Sequence, residues 1–335
     1  MRHFALALGL ILTGASVAAF EIEETALFGS GTAQVTVLST TDSQVFAPVI
    51  EGFLATRPDL TLRYDVANSQ QVYAAIHTEG AAFDLVISSA MDLQMKLAND
   101  GFARSFDGGA VLPSWARWRD QLFAVAQEPV VMIARAADFE GLALPRSRAD
   151  LVAVLRDNPE RFRGRIGTYD PVNSGAGYLF ATQDARQSDT SWRLAEVAGR
   201  LEPHLYDTSA GMIGDVQAGR LSLAYNVLGS YAAARPDPGM IVIAPEDFTH
   251  VLLRTALIPL SSQAPDLGAQ FLAFLLSAQG QALLDAAGLS RISDASLADA
   301  PQLRPIRLDP GLLVYVDPLM RQRFLNEWTA AIVQP

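Results

Sequence analysis

Short hydroxyl side chains gather at four points of the sequence, each where strand-like residues give way to a helix: Ser39-Thr40-Thr41, Ser88-Ser89, Asn173-Ser174-Gly175 and Thr208-Ser209. A helix N-terminus presents unpaired N–H groups and a partial positive charge, and a small hydroxyl beside it adds a donor without filling the space in front. The oxygen of an anion is a natural partner for such a place. These residue types also cap helices and satisfy the same N–H groups internally. One loop alone reads as a cap. Four loops at the carboxyl ends of strands, where open α/β sheets hold their ligands, read as one binding cleft.

Other chemistry-bearing residues are sparser. Tyr225 and Asn226 lie in AYNVLGSYAA and are expected at the carboxyl end of a strand facing the cleft, where the phenol would donate to an oxyanion; Tyr231 fits packing on the following helix. Glu128 and Asp207 could face the same cleft. Acids there repel an anion unless they accept from a sugar hydroxyl or an amine, a demand that a zwitterion or a sugar phosphate meets. His77 and His250 have no metal-ligand spacing to a second histidine or a carboxylate cluster. There is no G-x-S-x-G elbow, H-E-x-x-H helix or P-loop, so catalysis is not expected and no cofactor is implied.

The elements that must position these residues alternate. Gln34–Thr40 is a β-branched run, and a helix with Val45, Phe46, Val49, Ile50, Phe53 and Leu54 on one stripe follows. Leu60, Leu62, Tyr64 and Val66 alternate as a strand, Ser69 stands where it could cap a helix over 70–78, and Phe83–Ser89 reads as a buried strand. This is the β-α-β-α-β order that builds a parallel sheet covered by helices. In Gln121–Ala134 two apolar strands meet at Gln127-Glu128-Pro129 without a helix between them, which suggests a crossing between lobes. A second α/β set then runs through Arg165–Asp170, Ser191–Leu201, Leu221–Asn226 and Met240–Pro245, and Thr255–Ser261 is expected to return to the first lobe. Two helices occupy Ala264–Leu289. A last helix carries Leu319, Met320, Phe324, Leu325, Trp328 and Ile332 partly on one face; it is expected to dock on the first lobe, with a partner surface as the alternative.

Composition limits the function classes. The chain has 335 residues, half of them apolar, no cysteine and a net charge of −11. Missing cysteine removes disulfides, thiolate sites and a lipidated leader. The negative balance disfavours nucleic acid and anionic membranes. Arg2 and His3, the apolar stretch Phe4–Thr13 and the small residues Val17-Ala18-Ala19 have the form of a secretory signal cleaved near Ala19, so a periplasmic location is expected. Glu21–Gly31 reads as a flexible lead-in.

The blocks VLSTTDSQVFAPVIEGFLATRPDLTLRY, AAFDLVISSAMDLQMKLANDGF, QEPVVMIA, AGRLSLAYNVLGSYAA and FLAFLLSAQGQALLDAAGL, in this order, resemble the periplasmic substrate-binding proteins of bacterial ABC transporters, in the type II fold and its ferric-ion-binding-like branch. The resemblance covers most of residues 35–289. It implies an α/β protein of two lobes, each a mixed sheet flanked by helices, that close on a ligand. The expected division is a signal peptide at 1–19, a first lobe of 32–127 with 255–335, and a second of 128–254. In ferric-ion-binding relatives two adjacent tyrosines supply phenolates near Tyr225; here its neighbours are Ala224 and Asn226, so that pair is absent. Iron would have to use Tyr225 with Tyr231, Tyr206 or His204. The leading expectation is therefore a non-enzymatic, monomeric binding component of an ABC importer, taking a small anionic, oxygen-rich ligand to an inner-membrane permease. Ferric ion is one alternative ligand, and sensing through the periplasmic domain of a membrane histidine kinase is an alternative role.

Overall fold

The computed structural model describes residues 20–108, 112–293 and 300–334; the expected signal segment and its cleavage point lie outside them. The lead-in is not loose. Glu24–Gly29 forms β1, antiparallel to β3 (Leu60–Val66). Its side chains stay mostly exposed, so it has no apolar run to read; backbone pairing along an edge makes it a strand.

From there the expected order holds. β2 (Ala33–Ser39) runs parallel to β3 on one side and to β4 (Leu85–Ser88) on the other, with α1 (Ser43–Thr56) and α2 (Ser69–His77) as the crossovers. Asn68, not Ser69, caps α2, accepting from the backbone N–H of Gln70 and Gln71 at 3.0 Å. After α3 (Met91–Asn99) and the short β5 (Arg117–Trp118), the expected crossing appears as one 14-residue strand, β6 (Leu122–Arg135). Phe123–Pro129 pairs with one half of the sheet and Val130–Arg135 with the other. Pro129 lacks an N–H and stands where the partner changes, so little of the ladder is lost there.

The second half contains α4 (Arg148–Asp157), α5 (Pro159–Phe162), β7 (Ile166–Tyr169), α6 (Gly175–Gln187), α7 (Thr190–Gly199), β8 (His204–Tyr206), α8 (Ser209–Gln217), β9 (Leu223–Leu228), α9 (Gly229–Ala234) and β10 (Met240–Ile243). The return begins earlier than residue 255. β11 (Thr249–Leu257) is buried throughout and lies antiparallel to both β4 and β6. Thr249, His250 and Arg254 interrupt its apolar pattern, which hid its first six residues; carboxylates elsewhere in the fold partner the histidine and the arginine. The strand order is β1-β3-β2-β4-β11-β6-β9-β7-β8.

α10 (Pro265–Leu276) and α11 (Ala278–Ala286) cover the first half with α1, burying Phe46, Ile50, Phe53 and Phe271 with Val35 and Leu62. Each such side chain contributes roughly 1.5–3 kcal/mol. β12 (Leu303–Pro305) extends β11. The last helix, α12 (Pro318–Ile332), corrects an expectation: it packs on α7 in the second half, with Phe324, Trp328 and Ile332 in the cluster of Met132, Leu151, Tyr178 and Leu194. An amphipathic stripe states that a helix must be covered, not by what.

Candidate functional site

The chain leaves β2, β3, β4, β7, β8 and β9 towards one place, and the loops there line a single cavity. Thr40 and Asp42 follow β2, Asn68 and Ser69 follow β3, and Ser89 follows β4. From the other half come Tyr169, Ser174, Asp207, Thr208, Ser209 and Tyr231. The two sets also touch directly. The N–H of Gly175 donates to Ser69 Oγ at 2.9 Å, and the Tyr231 hydroxyl donates to Asp42 at 3.0 Å. Only glycine permits the first contact, because a Cβ on Gly175 would lie 2.5 Å from Ser69 Oγ.

Two of the hydroxyls, Ser174 and Thr208, are helix caps, yet capping does not exhaust them. Ser174 Oγ accepts from Gly177 N at 3.2 Å, Thr208 Oγ1 from Gly211 N at 3.1 Å, and Ser69 Oγ from Gly175 N as above. A hydroxyl has lone pairs for such bonds and a hydrogen left to give. For Ser69, Ser174 and Thr208 no protein acceptor takes that hydrogen among the described residues. Thr40 Oγ1 accepts from Ser89 N at 3.0 Å and lies 3.3 Å from Ser89 Oγ. Ser209 Oγ accepts from Leu228 N at 2.9 Å and pairs with the Tyr169 hydroxyl at 2.7 Å.

Three carboxylates, Glu23, Asp42 and Asp207, share the cavity, and none of the described residues lining it is lysine, arginine or histidine. Glu23 is raised above its ordinary pKa by burial first; the backbone of Asn68 opposes this, and Asp42, Glu21 and Asp207 reinforce it. Asp207 is raised by burial and then by Asp170. Burial pushes the Tyr231 phenol up to about 12 despite the attraction of Arg254.

Five of the sequence-derived candidates, Thr40, Ser89, Ser174, Thr208 and Ser209, line the cavity. Asp207, expected as an acid facing the cleft, and Tyr231 line it too; the others stand beside or away from it. Ser39 Oγ and Ser88 Oγ turn back to accept from Thr41 N and Ala90 N, and the exposed Asn173 donates to Asp170. Thr41 accepts from Arg254 at 2.5 Å. Glu128 does not face the cleft: it pairs with Arg254 at 2.8 Å and accepts from Ser230, with Glu128 and Arg254 both at most 1 % exposed.

Tyr225 and Asn226 are the clearest correction. Both donate to Asp184 Oδ2 at 2.9 Å, while Tyr225 accepts from Arg148 Nε at 2.7 Å. Arg148 and His250 bind Asp184 Oδ1. Burial acts to raise Asp184, but the Arg148 charge and the His250 and Asn226 hydrogen bonds outweigh it and hold the carboxyl well below its usual range. A register shift in the β6–β9 pairing and the left-handed backbone of Asn226, φ +63°, set this local geometry. Of the iron candidates only Tyr231 reaches the cavity. Tyr206 donates to Asp215, and His204 bonds the Gly164 carbonyl.

Glu23, Asp42, Asn68, Ser69 and Tyr169 also line the cavity, beyond the residues expected from the sequence. Asn68-Ser69 had the same strand-to-helix signal as the other loops; Glu23, in an exposed lead-in, had none. A second cavity lies beneath α12 between α4 and α7. It is more apolar, and its Asp184, Tyr225 and Asn226 are committed to one another, so it is less suited to a polar solute.

The family model for bacterial extracellular solute-binding protein matches residues 35–290. No curated protein matches the chain. Among solved structures, the substrate binding protein of the ABC transporter from Agrobacterium tumefaciens is 33% identical, with a TM-score of 0.88 over 92% of this chain and 98% of that one. The periplasmic binding protein AfuA from Actinobacillus pleuropneumoniae, with fructose-6-phosphate bound, is 16% identical, with a TM-score of 0.74 over 91% of this chain and 100% of that one. Iron-bound HitA from Pseudomonas aeruginosa is 19% identical, with a TM-score of 0.66 over 90% and 99%. The last two share the fold.

Proposed function

The chain belongs to the bacterial extracellular solute-binding proteins of ABC transporter type, and we propose that it carries a small, oxygen-rich ligand with an anionic group to an inner-membrane permease. The observation that carries this reading is the set of hydroxyls whose lone pairs serve backbone N–H groups while their hydrogens remain to be given. Ser69, Ser174 and Thr208 bring three such hydrogens to one cavity, at the entrances of α2, α6 and α8. A hydrogen bond to a charged group contributes about 1.5–3 kcal/mol, so three donors together can select an oxyanion over a neutral solute.

Closure is a shift between open and closed populations, favoured by contacts that exist only when both halves touch the ligand. In this reading the crossings are β6 at Glu128-Pro129 and the approach to β11 near Phe248. The Arg254–Glu128 pair joins them, with Thr41 held on one side and Ser230 on the other.

Thermal shift with carboxylates and sugar phosphates tests the ligand class, since a ligand at a hundredfold its Kd stabilises by about 2.7 kcal/mol. Ser174→Ala combined with Thr208→Ala is expected to weaken the best oxyanion at least tenfold by calorimetry; unchanged affinity would remove these residues from the site. A permease and an ATPase are expected among the neighbouring genes. A histidine kinase and regulator in their place would favour sensing over transport.

A further inference from the structure

The cavity asks for more than an anion. Glu23, Asp42 and Asp207 line it together with the hydroxyl donors, without a lysine, arginine or histidine among the described lining residues. Arg254, buried behind Tyr231 with its guanidinium 5.8 Å from that ring, pairs with Glu128 and donates to Thr41. A purely anionic solute would meet three carboxylates with no cation among the described lining residues to touch it; Arg254 acts only from behind Tyr231 and is already paired with Glu128. Resting on the oxyanion reading above, we propose that the ligand is amphoteric: a protonated amine sits against Glu23, Asp42 and Asp207 while the anionic group takes hydrogens from Ser69, Ser174 and Thr208.

The two groups have distinct places to go. The hydroxyls stand at the first turns of α2, α6 and α8, where partial positive charge favours an oxyanion. Glu23 lies just before β1 and comes from a part of the chain that supplies no helix entrance. Asp42 is already oriented by the Tyr231 hydroxyl from the opposite half, which leaves its second oxygen without a hydrogen bond among the described residues. Glu23 and Asp207 accept no side-chain hydrogen bond among the described residues. Burial is the larger cause of the raised pKa of Glu23; the repulsion from Asp42, Glu21 and Asp207 that adds to it would be relieved by an ammonium placed between these acids. Asp42 and Tyr231 also link the two halves, so an amine bound at Asp42 would reward closure rather than either half alone.

Calorimetry at pH 7 on the mature protein tests this with matched probes: phosphoethanolamine against ethyl phosphate, β-alanine against propionate, and 1,4-diaminobutane alone. The expected result is that the amine-bearing anion of at least one pair binds tenfold or more tighter than its partner. The double variant Glu23→Gln/Asp207→Asn should then narrow that gap while leaving the binding of the simple anion equal or tighter. Simple anions binding as well as their amino counterparts would overturn the amine half and leave the oxyanion reading standing. The diamine binding tightest would overturn the oxyanion reading itself. Native mass spectrometry of the protein as isolated decides the same point without the panel. A retained solute with both a basic nitrogen and an acidic group supports the proposal; one without the nitrogen overturns it.

Discussion

Asp92 shows how a single buried charge is tied to pH. It is 2 % exposed, and its carboxylate accepts from Leu93 N at 2.9 Å. Burial pushes its pKa up to about 7, against the backbone of Leu93 and the charge of Arg321. A raised pKa means that the folded chain holds the proton more tightly than the unfolded one. The stabilisation is therefore complete below the ordinary value near 4 and is lost as pH rises to about 7. Asp92→Asn should remove this dependence, matching the parent near pH 4 and exceeding it at pH 8 by about 2–4 kcal/mol. Urea unfolding at pH 4, 6 and 8 checks it; a variant less stable than the parent at pH 8 would show that Asp92 is ionised and paired. Asp184 is the opposite case, an equally enclosed carboxyl kept charged because its oxygens are filled by Arg148, His250, Tyr225 and Asn226.

Between elements, the decisive contact is the meeting of the α2 and α6 entrances. Gly175 gives its N–H to Ser69 across the cavity wall, and its missing Cβ is what lets the two helices approach. Gly175→Ala places a methyl where Ser69 Oγ and the Ala90 side chain stand, so it should oppose closure rather than folding. Affinity is expected to fall tenfold or more, with the ligand-free melting temperature changed by no more than a few degrees. Crystals or scattering of the variant should show the open form. Equal loss of stability and affinity would mean that this contact serves folding. At the same scale, α12 illustrates what periodicity leaves undecided: its apolar stripe was legible, but its partner α7 was not.

Over the whole molecule, closure predicts a change of shape. A folded chain of this length has a radius of gyration of about 20 Å, and drawing the halves together should reduce it measurably. Small-angle scattering with and without saturating ligand tests this. Identical curves would mean that the cavity loads without movement of the halves.

The sequence determined the alternation of strands and helices, the two-lobed α/β class, and the hydroxyl-rich entrances, because these are local patterns: periodicity, capping residues and the order of elements. Thr40, Ser89, Ser174, Thr208 and Ser209 were legible for that reason. Tertiary structure alone decided which way side chains turn and what lies opposite them. Tyr225 stands in the strand that was read, yet a local irregularity and the pull of Asp184 and Arg148 take its hydroxyl to a buried network. Glu23 reaches the cavity through an edge strand whose exposed side chains carry no pattern. The meeting of Gly175 with Ser69 joins residues 106 positions apart. Such contacts depend on how distant segments pack, and no spacing within either segment encodes them.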